Sequence, residues 1–366
     1  MKFKFIVVLL LALLTVGSSP VFAADEGISQ KDVESIVKAL KGLSISSEWY
    51  LSYQDGQSNN GTDYSKFALK RGYVTIKKSI TPYLTGRVTT DIYTNADGST
   101  APRLKYLYGQ FSMPDMGALT KPSVEFGLVH TPWLDFEEHV NLFRAQDTMF
   151  VERNGLFNSA DTGITFNTLF GGTMDKDYQN NVSKNYPGRY GSMALGVYNG
   201  GGYHASENNQ NKVVEGRLTI RPLPDVIPGL QFSYLGIFGK GNTAAEPDWR
   251  TNLGFVSYEQ KYVTLTGQYY WGKGNSSGSD ENEKKGYSFF TEIKPMDKYS
   301  IIGRYDHFDP NKNVSDDEND RYIVGFAYML DKPHHNMILV DYATVKYKQP
   351  DKEDDKRVQV TLQVEF

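Results

Sequence analysis

The chain contains no cysteine. Disulfides, metal–thiolate centres and cysteine nucleophiles are therefore excluded from any account of its stability or chemistry. Long apolar runs are almost as scarce. Beyond one near the N-terminus, no stretch approaches the ~20 apolar residues of a membrane-spanning helix. A charge excess is missing too: 39 basic residues face 43 acidic ones, a net charge of −4, which disfavours a nucleic-acid partner. There is no zinc-protease helix motif, nucleophile elbow or phosphate-binding loop. Of the histidines, His130, His139, His204, His307, His334 and His335, the local pair of His307 with Asp306 and Asp309 is the one catalytic candidate. No enzymatic activity, cofactor or metal site is expected.

What the chain has is aromatic residues, glycine and strict alternation. It carries 25 Tyr, 20 Phe, 4 Trp and 34 Gly. The last ten residues show the pattern most clearly. Val358, Val360, Leu362, Val364 and Phe366 alternate with Arg357, Gln359, Thr361, Gln363 and Glu365. Side chains of a strand point alternately to opposite faces, so this is a strand with one greasy and one wet face. It closes on an aromatic residue, Phe366, which resembles the C-terminal assembly signal of bacterial outer-membrane barrels.

The N-terminus reads as a secretory signal. Lys2 and Lys4 precede an apolar run from Phe5 to Val16, broken by Ser18, Ser19 and Pro20, and Val21-Phe22-Ala23 suits cleavage after Ala23. Residues 24–42 read as a short helical periplasmic leader: Ile28, Val33, Ile36, Val37 and Leu40 fall near helical spacing and Gly42 stands at the C-cap. From residue 43 to 366 the period is two. Candidate strands are 43–53, 67–78, 83–93, 103–113, 122–131, 161–170, 190–199, 212–222, 229–239, 250–259, 262–271, 285–294, 298–308, 320–330, 335–348 and 357–366.

The gaps after odd-numbered strands are long and polar, and those after most even-numbered strands are short. That is the arrangement of external loops and periplasmic turns in a bacterial barrel. The polar gap 171–189 breaks the rule, and a miscount by two would give fourteen or eighteen strands instead of about sixteen. Aromatic residues near strand ends (Trp49, Tyr50, Tyr53, Tyr93, Tyr198, Tyr269, Tyr270, Trp271, Tyr299, Tyr328) suit interfacial girdles. The fold class is therefore all-β, a transmembrane antiparallel barrel.

Such a barrel must turn its charges inward, because a charge at mid-membrane on the lipid face costs about 2–4 kcal/mol. The alternation assigns Arg71, Arg87, Arg217, Arg304, Arg321 and Arg357 to the interior, with Asp91, Glu125, Glu215, Glu292 and Asp306. Glu215 with Arg217, and Arg304 with Asp306, also have the spacing of structural pairs. A barrel of about sixteen strands leaves an aqueous channel, so a charged interior argues for a diffusion pore with a weak anion preference. The longest gap, 132–160, mixes Trp133, Phe136, Phe143, Met149 and Phe150 with Asp135, Glu137, Glu138, His139, Arg144, Glu152 and Arg153. Its apolar residues need burial, either in the lumen as a constriction loop or against each other as a surface Ω-loop. In the first arrangement Asp135, Glu137, Arg144 and Arg153 would project into the channel water. The acidic run 316–320 reads as a solvated loop, since its spacing matches no calcium-binding hand.

The stretch Thr131-Pro-Trp-Leu-Asp-Phe-Glu-Glu138, then Met149-Phe-Val-Glu-Arg153, and the earlier strand Phe67-Ala-Leu-Lys-Arg-Gly-Tyr-Val-Thr-Ile76 resemble the phosphate-selective porin O and P family. The resemblance implies a sixteen-stranded porin, usually a homotrimer, with the third external loop narrowing the channel. Phosphate selectivity in that family rests on an arginine ladder and basic loop residues. Here acidic Asp135, Glu137 and Glu138 stand at the loop start, so phosphate specificity is not implied. The partners that follow are outer-membrane lipid and lipopolysaccharide, small solutes or ions, and the barrel-assembly machinery. A different reading of the same barrel is a sheath for a partner such as an outer-membrane electron-transfer cytochrome, which calls for a wide, uncharged lumen and no infolded loop.

Overall fold

The computed structural model describes residues 34–366 except 36, 39, 96 and 332–334. The signal-peptide reading, and the leader up to residue 33, fall outside the described residues. Residues 34–40, where described, are helical, and the Lys41 amide donates to Val37 O at 3.0 Å. Contacts divide the chain into a unit up to Lys41 and a second unit from Gly42 to Phe366.

The second unit is a closed antiparallel barrel of sixteen strands. They are β1 (Leu43–Gln57), β2 (Asp63–Thr81), β3 (Leu84–Thr94), β4 (Thr100–Ser112), β5 (Leu119–His130), β6 (Ala160–Phe170), β7 (Gly191–Tyr198), β8 (Val213–Ile220), β9 (Leu230–Lys240), β10 (Asp248–Glu259), β11 (Val263–Lys273), β12 (Glu283–Met296), β13 (Tyr299–Asp309), β14 (Asn319–Met329), β15 (Met337–Tyr347) and β16 (Asp355–Glu365). Each pairs with its sequence neighbours, and β1 pairs with β16 to close the ring. Every expected strand has one counterpart. Several run further than the apolar alternation does: β1 and β2 pair on to Gln57 and Asp63, so the first external loop shrinks to 58–62. Polar residues serve as well as apolar ones in a ladder once it has left the apolar belt.

The barrel inverts the usual order of a globular core. In β16, Gln359 and Thr361 are buried inside while Val358 and Val360 face out and stay exposed. The same holds for Arg217 and Thr219 against Val214 and Leu218 in β8, and for Ile323 against Tyr322, Val324 and Phe326 in β14. The outer face thus carries a belt of Leu, Val, Ile and Phe, with Trp49, Tyr53, Tyr269 and Trp271 among its exposed aromatics. Not every girdle candidate lies there: Tyr50, Tyr198 and Tyr270 are buried inside, because their strand parity points them to the lumen.

The anomalous gap does not change the count. Residues 171–190 form one folded connection between β6 and β7. Thr173 bridges Gly188, the Met174 amide donates to Pro187 O at 2.7 Å, and a short helix (Lys176–Asn181) is capped by Asp175.

The seam between first and last strand is finished by Phe366. Its amide and carbonyl exchange hydrogen bonds with Ser47 at 3.1 and 2.8 Å, and its ring meets Trp49 edge-on at 5.6 Å. Phe366→Ala keeps the backbone bonds and removes the ring contact. It is expected to slow assembly, read as a lower fraction of heat-modifiable folded barrel in membranes; unchanged assembly kinetics would remove Phe366 from the closing step.

Candidate functional site

The segment from Thr131 to Ser159, joining β5 to β6, lies against the inner wall. It contains helix α1 (Leu134–Val140) and helix α2 (Phe150–Arg153). Trp133, Leu134, Phe136, Met149, Phe150 and Leu156 are wholly buried. They cluster with Leu235 and Ile237 of β9, Trp249, Leu253 and Phe255 of β10, and Phe308 of β13. Trp133 meets Phe255 at 5.3 Å, and Phe150 meets Phe308 at 6.0 Å. Phe143 packs further round, in a cluster with Phe290, Ile302 and Leu339. Burying each such side chain is worth about 1.5–3 kcal/mol. Gly286 on the wall leaves room for this: a Cβ there would lie 2.7 Å from Phe150 Cζ.

Polar anchors complete the docking, and most come from residues assigned to the channel lining. Arg217 Nε donates to Pro132 O at 2.9 Å, and its guanidinium lies 4.3 Å from the Phe136 ring. Arg304 donates to Thr148 O at 3.0 Å and to Asp306 at 3.0 Å; Arg153 also pairs with Asp306. Arg321 holds Asp147 at 2.8 Å, and Arg357 donates to Gln146 O at 2.7 Å. Of the two spaced pairs, Arg304 and Asp306 meet, whereas Arg217 turns to the loop and leaves Glu215 Oε2 buried with no hydrogen-bond partner. Glu292 accepts from Ser300 at 2.7 Å and pairs with Lys294 at 3.2 Å.

Three loop residues expected to project into water are anchors instead. Glu137 is buried, accepting from Trp133 Nε1 at 2.7 Å and from Gln268 of β11 at 2.6 Å. Arg144 is enclosed between Glu138 and Glu152, and Arg153 between Asp306 and the Thr148 carbonyl. The reason is shared: a polar side chain carried down with an apolar loop must find partners there or lose its hydration uncompensated. Asp135, by contrast, keeps a third of its side chain exposed, and Glu138 and Glu152 keep about a quarter.

The acidic side of the loop meets a basic wall built by β2–β4. Arg71 lies 4.6 Å from the Tyr73 ring, with Nη1 lacking a hydrogen-bond partner. Arg87 lies 4.5 Å from Tyr106 and contacts His130 Nε2 at 3.0 Å. His130 joins Glu125 at 2.9 Å and lies 3.8 Å from Asp135. Arg103 pairs with Asp91 at 2.8 Å, and Lys105 donates to the Tyr73 hydroxyl at 2.5 Å. Lys105 and Lys70 escape a period-two reading because each sits at a ladder irregularity. The registers of β1–β2 and β3–β4 slip by one residue at these points, so Lys70 joins Arg71, and Lys105 joins Tyr106, on the inner side. Lys70 then reaches Ala145 O at 2.6 Å. The sequence signal for the docking face was available: β9 and β10 carry Leu235, Ile237, Trp249, Leu253 and Phe255 at inward positions, which a solvated lumen does not require. His307, the catalytic candidate, bonds Asp320 at 2.9 Å and stacks on Tyr287.

No protein-family model and no curated protein matches the sequence. Solved structures do. OmpF of Salmonella typhi superposes with a TM-score of 0.62 at 11% identity, over 88% of this chain and 97% of that one. An anion-selective porin from Comamonas acidovorans gives 0.61 at 12%, over 88% and 99%. OprB of Pseudomonas putida gives 0.60 at 9%, over 93% and 100%. The fold is that of the bacterial outer-membrane porins. These three structures do not single out the phosphate-selective O and P family.

Burial pushes the Glu137 carboxyl up from 4.5 to about 7, against the hydrogen bonds from Gln268 and Trp133 that favour its ionised form. A raised value means that its contribution to docking is complete below about 4.5 and is lost as pH rises through about 7. The change amounts to at most about 3 kcal/mol. Loop 132–160 is therefore expected to become more protease-sensitive across that range, and Glu137→Gln, with Gln268 free to flip its amide, to abolish the trend. A wild-type loop with flat sensitivity would contradict this.

Proposed function

We propose that the protein is an outer-membrane channel for passive diffusion of small hydrophilic solutes and ions, narrowed by loop 132–160. The observation that carries this reading is the division of charge inside the barrel. Arg217, Arg304, Arg321, Arg357 and Lys70 are engaged by the loop, while on the β2–β4 wall Arg71 stands toward Glu152 and Arg87 toward Asp135, with Arg103 paired to Asp91 and Lys105 buried beside Tyr73. Opposed basic and acidic surfaces set a field across the path, which orients dipolar solutes and biases ion passage. An apolar outer belt with exposed aromatics is what a bilayer demands of a closed sheet. The Comamonas porin is described as anion-selective; a weak anion preference here rests on this chain's own basic wall. A loop docked across the interior and a charged wall disfavour the sheath reading.

Purified, refolded protein in a planar bilayer should show stepwise conductance. Replacing residues 134–157 with a short Gly/Ser link should raise the step size, admit larger solutes and shift ion preference toward anions, because the acidic face leaves with the loop. Absence of steps in the wild type would end the channel reading; an unchanged step in the loop variant would end the constriction.

Lipid, lipopolysaccharide and the barrel-assembly machinery are the partners this reading implies, with three copies as the assembly. Light scattering on detergent-solubilised protein should give a trimer mass, and a monomer mass would contradict it.

A further inference from the structure

Loops after odd-numbered strands leave one mouth of the barrel and connections after even-numbered strands leave the other. The constriction loop, between β5 and β6, comes from the first mouth. The 171–190 connection, between β6 and β7, comes from the second, where other connections are tight turns. It is far longer than closing a hairpin needs, and its far end is pinned inside the barrel.

Tyr186 is the tip. Its hydroxyl donates to Asp135 on α1. Its ring meets Phe136 edge-on at 5.2 Å and His139 at 5.9 Å, and the Arg217 guanidinium lies 5.0 Å from it. The residue sits at φ 45°, in the left-handed region that a bulky side chain rarely occupies, and such backbone strain persists only where surrounding contacts over-determine it. The connection is anchored on both sides of this tip. Tyr178 is buried and accepts from Arg221 at 2.9 Å, and Arg221 also donates to Gly188 O at 3.2 Å. Ser183 Oγ donates within the connection to Asn185 O at 3.4 Å, and Lys184 lies within electrostatic reach of His335 on the β14–β15 connection. The segment therefore reaches from the β6–β7 side into the lumen and up to α1 of the constriction loop.

We propose that residues 171–190 form a strap that enters the lumen from the short-turn mouth, braces the constriction loop from below, and through Tyr186 fixes Asp135 against the basic wall. Tyr186 is a positioning residue: it acts on passing ions through the carboxylate it holds. The strap also narrows the path in series with loop 132–160, so the two mouths jointly define the size limit. This rests on the channel reading, and one of its readouts does not.

Two variants and two measurements test it. Tyr186→Phe keeps the ring and removes the hydroxyl. Replacing 175–186 with a Gly/Ser link removes the strap. Reversal potentials in a salt gradient should shift toward anions in Tyr186→Phe, with step conductance and heat-modifiable folding as in the wild type. The strap replacement should add a larger step. Hydrogen exchange of the α1 amides, Leu134–Val140, should quicken in the strap replacement whether or not the barrel conducts. Unchanged exchange would overturn the brace even if channels form. Faster exchange in a barrel that shows no conductance would uphold the brace and sink the channel reading. A wild-type reversal potential in Tyr186→Phe would overturn its positioning role.

Discussion

The ring closes where β16 meets β1, and the rest of the molecule depends on that closure. A sheet in a bilayer has no water to satisfy the N–H and C=O groups of a free edge, so its last strand must pair with its first. Ten successive residues of β1, Glu48 to Gln57, pair with Glu365 to Lys356 to achieve this. Once the ring is shut, each strand has one face toward lipid and one toward the enclosed space. Alternation then sorts every side chain: Val360 outward, Gln359 and Thr361 inward.

That sorting creates a second problem, which the loop solves. Sixteen strands enclose more space than side chains can fill. The interior is accordingly divided between a dry side and a wet one. The dry side, from β8 round to β16, accepts the loop through Leu235, Ile237, Leu253 and Phe255 and through arginines that bond its backbone carbonyls. The wet side, β2 to β4, keeps Arg71, Arg87 and Arg103 beside tyrosine rings, with Lys105 buried among them. Arginine suits both duties, since its planar group can fork onto carbonyl and carboxylate oxygens or lie over an aromatic face without giving up charge. The same residue type thus clamps the loop at positions 217, 304, 321 and 357 and faces the lumen at 71, 87 and 103.

The barrel was legible from period two and loop length alone, because a two-sided environment imposes the pattern directly on the sequence. Inward parity was legible for the same reason, at Arg217 and Glu215 as at Arg304 and Asp306. Partner choice was not. Whether Arg217 pairs with Glu215 two residues away or with Pro132, 85 residues away, depends on where the loop lies. Lys70 and Lys105 were hidden by one-residue slips in the ladder, which no local propensity marks. Glu137 and Arg144 looked like channel residues because charge in an apolar loop suggests water. Here it reflects buried partners on a distant strand or on the loop itself. Tyr186 had no signature beyond the unexplained length of its connection.

The absence of native cysteine allows the central claim, that the inner face borders a continuous water path while the outer face borders lipid, to be tested one position at a time. Single cysteines at Arg103 and Asp135 on the inside, and at Leu107 on the outside, can be exposed to a charged, water-soluble thiosulfonate during single-channel recording. The account predicts a step change in conductance at Arg103→Cys and Asp135→Cys and none at Leu107→Cys. Conductance that ignores modification at both inner positions, or that responds equally at Leu107→Cys, would contradict it.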